Sequence, residues 1–339
     1  MKPIADSMAE NSNSLQLEPF VPRRYLRNRH AMTLAGNFLP RKSTLPATEE
    51  CMFSVAEGTQ VLCHCHWQAE PERRPAIIVV HGLEGSSESQ YVIGTANKAW
   101  EAGMSVVRMN MRTCGGSERL ARTLYHSGLS SDVGAVLRGI VEQKKIGRVG
   151  LVGYSMGGNL VLKLAGEFGG DAPPQLKCVA AVSPAADLAA SADAMHDWSN
   201  RIYEYKFLLG LVRRFKRRIA QHPELYKKAL RRPATIREFD DVITAPYCGF
   251  SGAEDYYHRA AAARVIDRIA VPTLVLHAAD DPFIRLLPET RQKMQANPNI
   301  TFLETAHGGH CAFLAQANGY DGRWAERQII HFFRHHGMS

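Results

Sequence analysis

A serine flanked by two glycines lies where an apolar run gives way to helix-forming residues. The stretch 149–158 reads VGLVGYSMGG, in which Gly153, Ser155 and Gly157 form the pattern G-x-S-x-G. On a sharp turn from strand to helix, such a serine has a strained backbone and an exposed hydroxyl, and only small flanking residues let the chain approach itself so closely. The pattern therefore predicts that Ser155 is a nucleophile.

A serine hydroxyl needs a histidine as general base, and the histidine needs a carboxylate that fixes its tautomer. When the nucleophile lies on such a turn, the acid follows it along the chain and the histidine comes last. Asp280 and Asp281 follow the apolar run TLVLH, whereas His307 and His310 follow the next run, ITFL. The sequence thus offers two acids and two bases in the required order.

One residue of each pair is favoured. Asp281 is the preferred acid because it directly precedes a proline and starts the turn that can direct it across the strand ends. His310 is the preferred base because two glycines form a flexible loop before it. Asp280 is then interpreted as a helix or turn cap and His307 as a structural hydrogen-bonding residue, while Asp187, after an earlier strand, stays open as a third acid.

Acyl transfer also needs two backbone N–H groups that bind the oxyanion of the tetrahedral intermediate. The first belongs to the residue after the nucleophile, Met156. An HG-x-x-G pattern follows the apolar run AIIVV and begins at His81, which makes the N–H of Leu83 the expected second donor. His81 itself is interpreted as a residue that orients this loop.

The elements that must position these groups follow from an alternation of short apolar runs with longer helical patterns. Such alternation predicts an α/β fold with a mainly parallel central sheet, and continuous runs such as AIIVV and TLVLH predict strands that helices cover on both faces. The predicted strands are Gln60–Trp67, Ala76–Val80, Ser105–Met109, Val149–Val152, Cys178–Val182, Thr273–His277 and Ile300–Leu303. The predicted helices between them include Gln90–Ala102, Leu129–Gln143 and Gly157–Glu167.

A long interval between the strands that end near Val182 and start near Thr273 predicts an inserted helical cap at about 185–250. Its segment RIYEYKFLLGLVRRFKRRIA has apolar residues at three- and four-residue spacing among many cations, which is typical of a basic amphipathic helix. We expect cap residues to shape the acyl site, namely Tyr203, Leu208, Leu211, Tyr256 and Tyr257.

The remainder of the chain predicts one domain. Residues 1–20 are polar and predict a disordered tail, 22–43 form a basic arm packed on the main domain, and 21–335 form a single catalytic domain that includes the cap. The 339 residues are 45% hydrophobic and 22% charged, which excludes collagen-like, disordered and coiled-coil classes. The net charge of +8 permits attraction to anionic surfaces.

Several weaker patterns in the sequence have simpler structural explanations. The seven cysteines are an odd number without small-scaffold spacing, so they predict reduced thiols and a cytoplasmic protein, and the sequence has no apolar stretch typical of a signal peptide or spanning helix. CHCHW at 63–67 would place its cysteines and histidines on opposite faces of a strand, with no second cluster for a metal. Nucleotide-binding glycine motifs are absent, so no cofactor is expected. The basic runs RRFKRR and KKALRR belong to no recognisable nucleic-acid-binding module. Peripheral contact with an anionic membrane is the more specific hypothesis for these cations.

The combined motifs resemble the α/β-hydrolase superfamily, and in detail its YheT-like branch, which includes mammalian ABHD-type lipases. The segments that carry the resemblance are LRNRHAMTL, HGLEGSSESQYV, RMNMRTCGGSE, LYHSGLSSD, GYSMGGN, REFDDVITAPYCGFSGAEDYY, LHAADDPF and HGGHCAF. They run from about residue 25 to about 315. The resemblance implies the α/β-hydrolase fold and implies that Ser155, Asp281 and His310 are the charge-relay residues. Some family members carry an N-terminal membrane helix, for which this sequence shows no pattern.

The sequence favours a serine hydrolase of carboxylic esters that works through an acyl-enzyme intermediate. Its substrate is expected to be a small-molecule or lipid ester. Acyl transfer to an alcohol would use the same residues, and a non-catalytic binding module on the same scaffold is a third hypothesis.

Overall fold

Residues 15, 17–227 and 231–339 are described here from a computed structural model. The strands are β1 (Glu49–Ala56), β2 (Thr59–His66), β3 (Ala76–Val80), β4 (Ser105–Met109), β5 (Val149–Tyr154), β6 (Leu176–Val182), β7 (Thr273–Ala278) and β8 (Ile300–Thr305). The longer helices are α1 (Arg29–Phe38), α2 (Gln90–Glu101), α3 (Ser130–Lys144), α4 (Met156–Phe168), α5 (Leu188–Met195), α6 (Arg201–Gln221), α9 (Ala253–Ala260), α10 (Pro288–Ala296) and α11 (Trp324–His335). Two short helices, α7 (Ile236–Phe239) and α8 (Ala245–Tyr247), enclose a π-helical turn, Asp240–Thr244.

The eight strands form one sheet in the order β1-β2-β4-β3-β5-β6-β7-β8. Strand β2 pairs antiparallel with β1 and with β4, and all other neighbours are parallel. The α/β class with a mainly parallel sheet and helices on both faces is therefore confirmed. Each predicted strand and each of the three predicted helices is present, with ends that move by two residues or fewer.

The core has two layers because successive side chains of a strand point to opposite faces. In β3, Ile78 and Val80 belong to the layer that includes Leu137 of α3, whereas Ile77 and Val79 belong to the layer that includes Phe333 of α11. All five residues of β3 are completely buried. Coverage on both faces explains the continuous apolar runs of the central strands.

Helices α5 to α9 lie between β6 and β7, and we call them the cap helices. The helical segment continues to Ala260, beyond the predicted end of the cap. In the basic arm, Asn28 caps the start of α1, and its side chain accepts hydrogen bonds from the N–H groups of His30 and Ala31. Most of the predicted tail lies outside the described residues. At its end, Phe20 packs against Trp324 of α11 at 5.3 Å between ring centroids.

The parallel strands place their carboxyl ends at one edge of the sheet, where ligands bind in open α/β sheets. His81 follows β3, Ser155 follows β5, Asp281 comes after β7 and His310 after β8. The residues singled out for chemistry thus meet at this edge.

Candidate active site

Ser155 occupies the turn between β5 and α4 in a backbone conformation that few residues adopt. Its φ is 55° and its ψ is −116°. A side chain on either flanking glycine would collide with backbone: a Cβ on Gly153 would lie 2.2 Å from the carbonyl oxygen of Gly157, and one on Gly157 would lie 2.4 Å from that of Val80. Strain of this kind persists only where the surrounding structure enforces it, and it is common at active sites. The geometry agrees with the turn predicted around the serine.

His310 and Asp281 form a direct pair. His310 Nδ1 lies 2.8 Å from Asp281 Oδ2, and the other carboxylate oxygen accepts the N–H groups of Phe283 and Ile284 at 3.1 and 2.9 Å. Burial by itself raises the pKa of the Asp281 carboxyl, but His310 and the Ile284 N–H outweigh burial and lower this pKa below its usual value. An ionised Asp281 therefore fixes the His310 ring through Nδ1 and leaves Nε2 as the nitrogen that can accept a proton.

The other candidate acids, Asp280 and Asp187, and the other candidate base, His307, form hydrogen bonds outside the Asp281–His310 pair. Asp280 Oδ2 lies 3.3 Å from His307 Nδ1, and Asp280 Oδ1 accepts the N–H of Gly309 at 2.9 Å, so this pair holds the loop before His310. Asp187 accepts hydrogen bonds from the Leu287 N–H and from Thr290 Oγ1, both at 2.8 Å, at the start of α10.

Ser155 and Cys311, the residue after His310, share one backbone partner at the end of β6. The carbonyl of Val182 accepts the N–H of Ser155 at 2.9 Å and the thiol of Cys311 at 3.7 Å. The thiol also lies 3.6 Å from His310 Nε2. Ser155 Oγ forms none of the hydrogen bonds found among residues 17–227 and 231–339, and bonds of this type often tighten only when substrate is bound.

Two backbone N–H groups beside Ser155 are free to bind an oxyanion. In the part of the chain that the structure describes, neither Leu83 nor Met156 donates its N–H to another residue. A Cβ on Gly82 would lie 3.1 Å from Cβ of Ser155, which shows how closely the loop after β3 approaches the serine. The N–H of Gly82 donates to Tyr91 Oη at 3.0 Å and so holds the loop from behind.

His81 braces this loop. Its Nε2 accepts the N–H of Met111 at 3.1 Å, and its Nδ1 donates to the carbonyl of Gly82 at 2.7 Å. Burial lowers the pKa of His81 to about 4, so the ring is neutral at pH 7. Both nitrogens are thus used within the protein, as expected of a residue that orients the loop.

A cavity of about 120 Å³ opens beside Ser155 beneath the cap helices. An apolar cavity of slightly larger volume can hold benzene, so this one has room for a short acyl group. Leu211, Tyr256 and Tyr257 line this cavity, whereas Tyr203 and Leu208 lie outside its wall. These two residues lie on other faces of α6: Tyr203 packs against His30 and against Phe283 of the cavity wall, and Leu208 lines an outer groove.

The cavity wall also contains Phe207 and three residues for which the sequence carried no prediction, namely Arg214, Phe239 and Asp240. Asp240 is buried on the π-helical turn and accepts hydrogen bonds from Thr244 Oγ1 and Tyr257 Oη, both at 2.7 Å, and burial raises its pKa to about 6. Cys311 is a further site residue without a prediction, and its position directly after His310 is the signal that could have found it.

An ion pair joins cap helix α6 to the loop after β3. Arg214 Nε lies 3.0 Å from Glu84 Oε1, and the Tyr125 hydroxyl donates to the same oxygen at 2.7 Å. Arg214 also donates to the carbonyl of Thr113. Glu84 directly follows Leu83 and has a φ of 55°. The ion pair therefore links α6 to the residue next to an expected oxyanion donor.

The first four residues of the CHCHW motif, Cys63 to His66, lie on β2, as its alternation predicted, and Trp67 follows the strand. Cys63 and Cys65 are fully buried, and His64 on the other face pairs with Glu88 at 3.2 Å. Among the residues described by the structure, no three His, Cys, Asp or Glu side chains are grouped as metal ligands would be.

The sequence signature of the α/β hydrolase fold matches residues 75–317. The chain belongs to this family. Within the family it is 31% identical over 317 residues to the YheT protein of Escherichia coli K12, whose name proposes an esterase, with 91% of each chain covered. A monoacylglycerol lipase of Saccharomyces cerevisiae is 27% identical over 78% of this chain and 60% of its own. The mouse phospholipase ABHD3 is 25% identical over 88% of this chain and 74% of its own. The predicted resemblance to the YheT-like and ABHD-type branch is thus confirmed.

Solved structures share the fold of this α/β-hydrolase family member. The Pyrococcus furiosus esterase Pf2001 superposes with a TM-score of 0.59 at 14% identity and covers 95% of this chain and 99% of its own. Est1E of Butyrivibrio proteoclasticus with bound ferulic acid gives a TM-score of 0.55 at 16% identity over 85% of this chain and 100% of its own. No helix within the described ranges is long and apolar enough to cross a membrane.

Proposed function

We propose that the protein is a serine hydrolase of carboxylic esters. The observation that carries the proposal is the buried Asp281–His310 pair at the same strand ends as the strained Ser155. Two free N–H groups, of Leu83 and Met156, lie beside that serine. Relatives named as lipases and phospholipases support an ester as the substrate.

In this mechanism Ser155 Oγ attacks the acyl carbon while its proton moves to His310 Nε2. The oxyanion of the tetrahedral intermediate accepts the N–H groups of Leu83 and Met156. When the intermediate collapses, the ester C–O bond breaks and the alcohol leaves with the proton from His310. Water then gives a proton to His310 and attacks the acyl carbon, the bond between that carbon and Ser155 Oγ breaks, and His310 returns the proton to Oγ as the acid leaves.

Asp281 has a positioning and electrostatic role throughout. It stays ionised, keeps His310 in the tautomer with Nδ1 protonated and stabilises the imidazolium that forms at each transition state. The chemistry uses only side chains, backbone groups and water.

Transfer of the acyl group to an alcohol is a second candidate. A relative from Saccharomyces cerevisiae, 29% identical over 76% of this chain and 62% of its own, is named a medium-chain fatty acid ethyl ester synthase/esterase. Added ethanol should compete with water at the acyl-enzyme. The ratio of ethyl ester to free acid, measured by chromatography, separates the two reactions, because a strict hydrolase gives acid alone.

The proposed compartment is the cytoplasm. All seven cysteines are free thiols, and four of them are buried. Unpaired thiols are typical of proteins that work in a reducing environment.

The nucleophile is tested with a fluorophosphonate probe and a series of p-nitrophenyl esters of increasing acyl length. We expect the parent protein to be labelled and to turn over the short esters fastest. Ser155→Ala should lose labelling and reduce kcat by about 10⁴-fold or more. Ser131→Ala is the matched control, because Ser131 is exposed on α3. If a folded parent protein neither labels nor turns over any ester, the proposal is wrong and a non-catalytic binding role is the better account.

A further inference from the structure

Large apolar side chains lie exposed on α1 and at the start of α6. Trp198, just before α6, is 88% exposed, Ile202 is 84% exposed, and Tyr205 and Phe38 are each 65% exposed. Leu34, one turn before Phe38, is 44% exposed. We call these five residues the docking face. Single exposed apolar residues are ordinary, but a group of this kind on one surface marks an interaction site.

Contacts between the two helices show that the docking face is continuous. Arg29 Nη2 lies 3.4 Å from Ser199 Oγ at one end. The rings of His30 and Tyr203 stack at 5.7 Å in the middle, and Lys206 Nζ lies 5.2 Å from the centre of the Phe38 ring at the other end. The start of α6 therefore runs beside α1.

The docking face borders the candidate active site. On the inner side of α1, Thr33 Oγ1 accepts the N–H of His310 at 2.9 Å. On the inner side of α6, Tyr203 packs against Phe283 at 5.4 Å, and Phe283 packs against the His310 ring at 4.3 Å. The helices that carry the docking face thus form one wall around His310.

Helix α6 has a second apolar side, whose first part faces solvent and whose last residue, Val212, also packs against the core. Trp198, Ile202, Tyr205, Leu209 and Val212 follow one another at intervals of four, three, four and three residues. This spacing places them on one stripe. All five are exposed or partly exposed, whereas Leu211 and Phe215 on another side of the helix are buried at the cavity.

Cations flank this stripe. The exposed basic residues of α6 are Arg201, Lys206, Arg213, Lys216 and Arg217. Asp197 lies 3.7 Å from Arg285, the buried Glu204 hydrogen-bonds to His196 at 2.8 Å, and Glu118 lies 3.6 Å from Arg217, which leaves Arg201, Lys206, Arg213 and Lys216 as the cations of this side without such a carboxylate among the described residues. An apolar stripe with aromatic residues between cations is typical of a helix that lies in the interface of a membrane.

We propose that the docking face binds the surface of a lipid bilayer that contains anionic headgroups. Trp198, Ile202 and Phe38 would enter the boundary between headgroups and acyl chains, and the cations of α6 would contact lipid phosphates. A second copy of the chain is a poorer occupant, because a two-fold contact through this face would bring the cations of both copies together. The surface stands apart from ester hydrolysis, although it would bring a lipid ester to the entrance beside His310.

The test is co-sedimentation with vesicles of phosphatidylcholine alone or with phosphatidylglycerol added. Both the parent protein and Ser155→Ala are used, since docking needs no catalysis. We expect binding to the anionic vesicles that weakens as salt is raised. The double variant Trp198→Ala/Ile202→Ala and the charge reversal Arg201→Glu/Lys206→Glu should each reduce the fraction bound at a given lipid concentration, with the partition coefficient lowered about tenfold or more.

Matched controls lie on other surfaces. Met52→Ala removes an exposed apolar side chain from β1, and Arg138→Glu reverses an exposed charge on α3, and neither should change vesicle binding. Circular dichroism and probe labelling of Ser155 establish that variants are folded. The proposal is overturned if the parent protein does not bind anionic vesicles, if the two double variants bind like the parent, or if gel filtration shows that Trp198→Ala/Ile202→Ala dissolves a dimer without affecting vesicle binding.

Discussion

At the scale of single residues, the site is built so that each catalytic candidate has its own supporting contact. Asp281 is completely buried and bound by two backbone N–H groups, and this binding fixes its orientation before it meets His310. Asp280, its neighbour in sequence, points to His307 and to the backbone of Gly309. The two adjacent acids can therefore be separated by substitution.

Asp281→Asn should reduce kcat/KM for p-nitrophenyl esters by about 10⁴-fold, because the amide favours the wrong tautomer of His310. Asp280→Asn should reduce it by about tenfold at most, since Asp280 contributes one loop hydrogen bond and a contact to the half-exposed His307. Steady-state kinetics on both variants decide the assignment. The assignment is wrong if Asp280→Asn proves the more damaging change.

Cys311 gives His310 an unusual neighbour. Burial alone would lower the pKa of His310, but the Cys311 sulfur and the Asp281 carboxylate outweigh burial and raise this pKa above its ordinary value of 6.5. General-base catalysis needs the neutral ring, so activity is lost as the pH falls through the pKa of His310.

The kcat/KM profile should therefore reach half its maximum above pH 6.5, and Cys311→Ala should move this midpoint to lower pH. Cys51→Ala on β1 is the matched control and should leave the midpoint in place. A profile with the same midpoint in Cys311→Ala and in the parent protein would contradict this influence of the thiol.

At the scale of elements, the strand–turn–helix unit around Ser155 depends on glycine where backbones touch. A Cβ on Gly157 would lie 2.4 Å from the carbonyl oxygen of Val80 and 2.5 Å from that of His81, and neither can move without disturbing β3. Gly147, by contrast, has open space around the corresponding position.

Gly157→Ala should lower the free energy of unfolding by about 3 kcal/mol or more, because the added methyl must displace backbone. Gly147→Ala should change it by less than about 1 kcal/mol. Urea denaturation followed by circular dichroism measures both. Equal midpoints for the two variants would show that the turn tolerates a side chain.

The sequence predicted those elements whose signals are local. Gly153, Ser155 and Gly157 lie within five residues, and the central strands are apolar throughout. The turn and the central strands could therefore be predicted from the sequence. Strand β1 was missed because it lies at the sheet edge, where Phe53 is its one buried residue. The ion pair between Arg214 and Glu84 joins positions 130 residues apart. Short-range sequence patterns cannot predict such a contact.

The same distinction applies to the cap. Amphipathic spacing predicted a helix in α6 but could not assign its faces, because the helix has an apolar side at the cavity and another toward solvent. Residue spacing alone therefore cannot decide that Leu211 rather than Leu208 lines the cavity.

At the scale of the whole molecule, one sheet edge unites residues from four strand ends, and α1 and the cap helices surround it. Thr33 of the arm accepts the N–H of His310, and Tyr203 of α6 packs against Phe283, which packs against the His310 ring. Segments that are far apart in sequence thus hold one histidine in place. The arm contributes to this support together with the loops after β7 and β8.

The contact of Arg214 with Glu84 has a consequence for protein engineering. Gly210, one turn before Arg214, lies so close to Glu84 that a Cβ there would be 2.4 Å from Oε2. A cap exchanged for that of another hydrolase would leave the partly buried carboxylate of Glu84 without its cation beside Leu83. Substrate range and turnover would then change together in such a chimera. Keeping Gly210 and Arg214 in the transplanted helix should allow the substrate range to change while turnover is preserved.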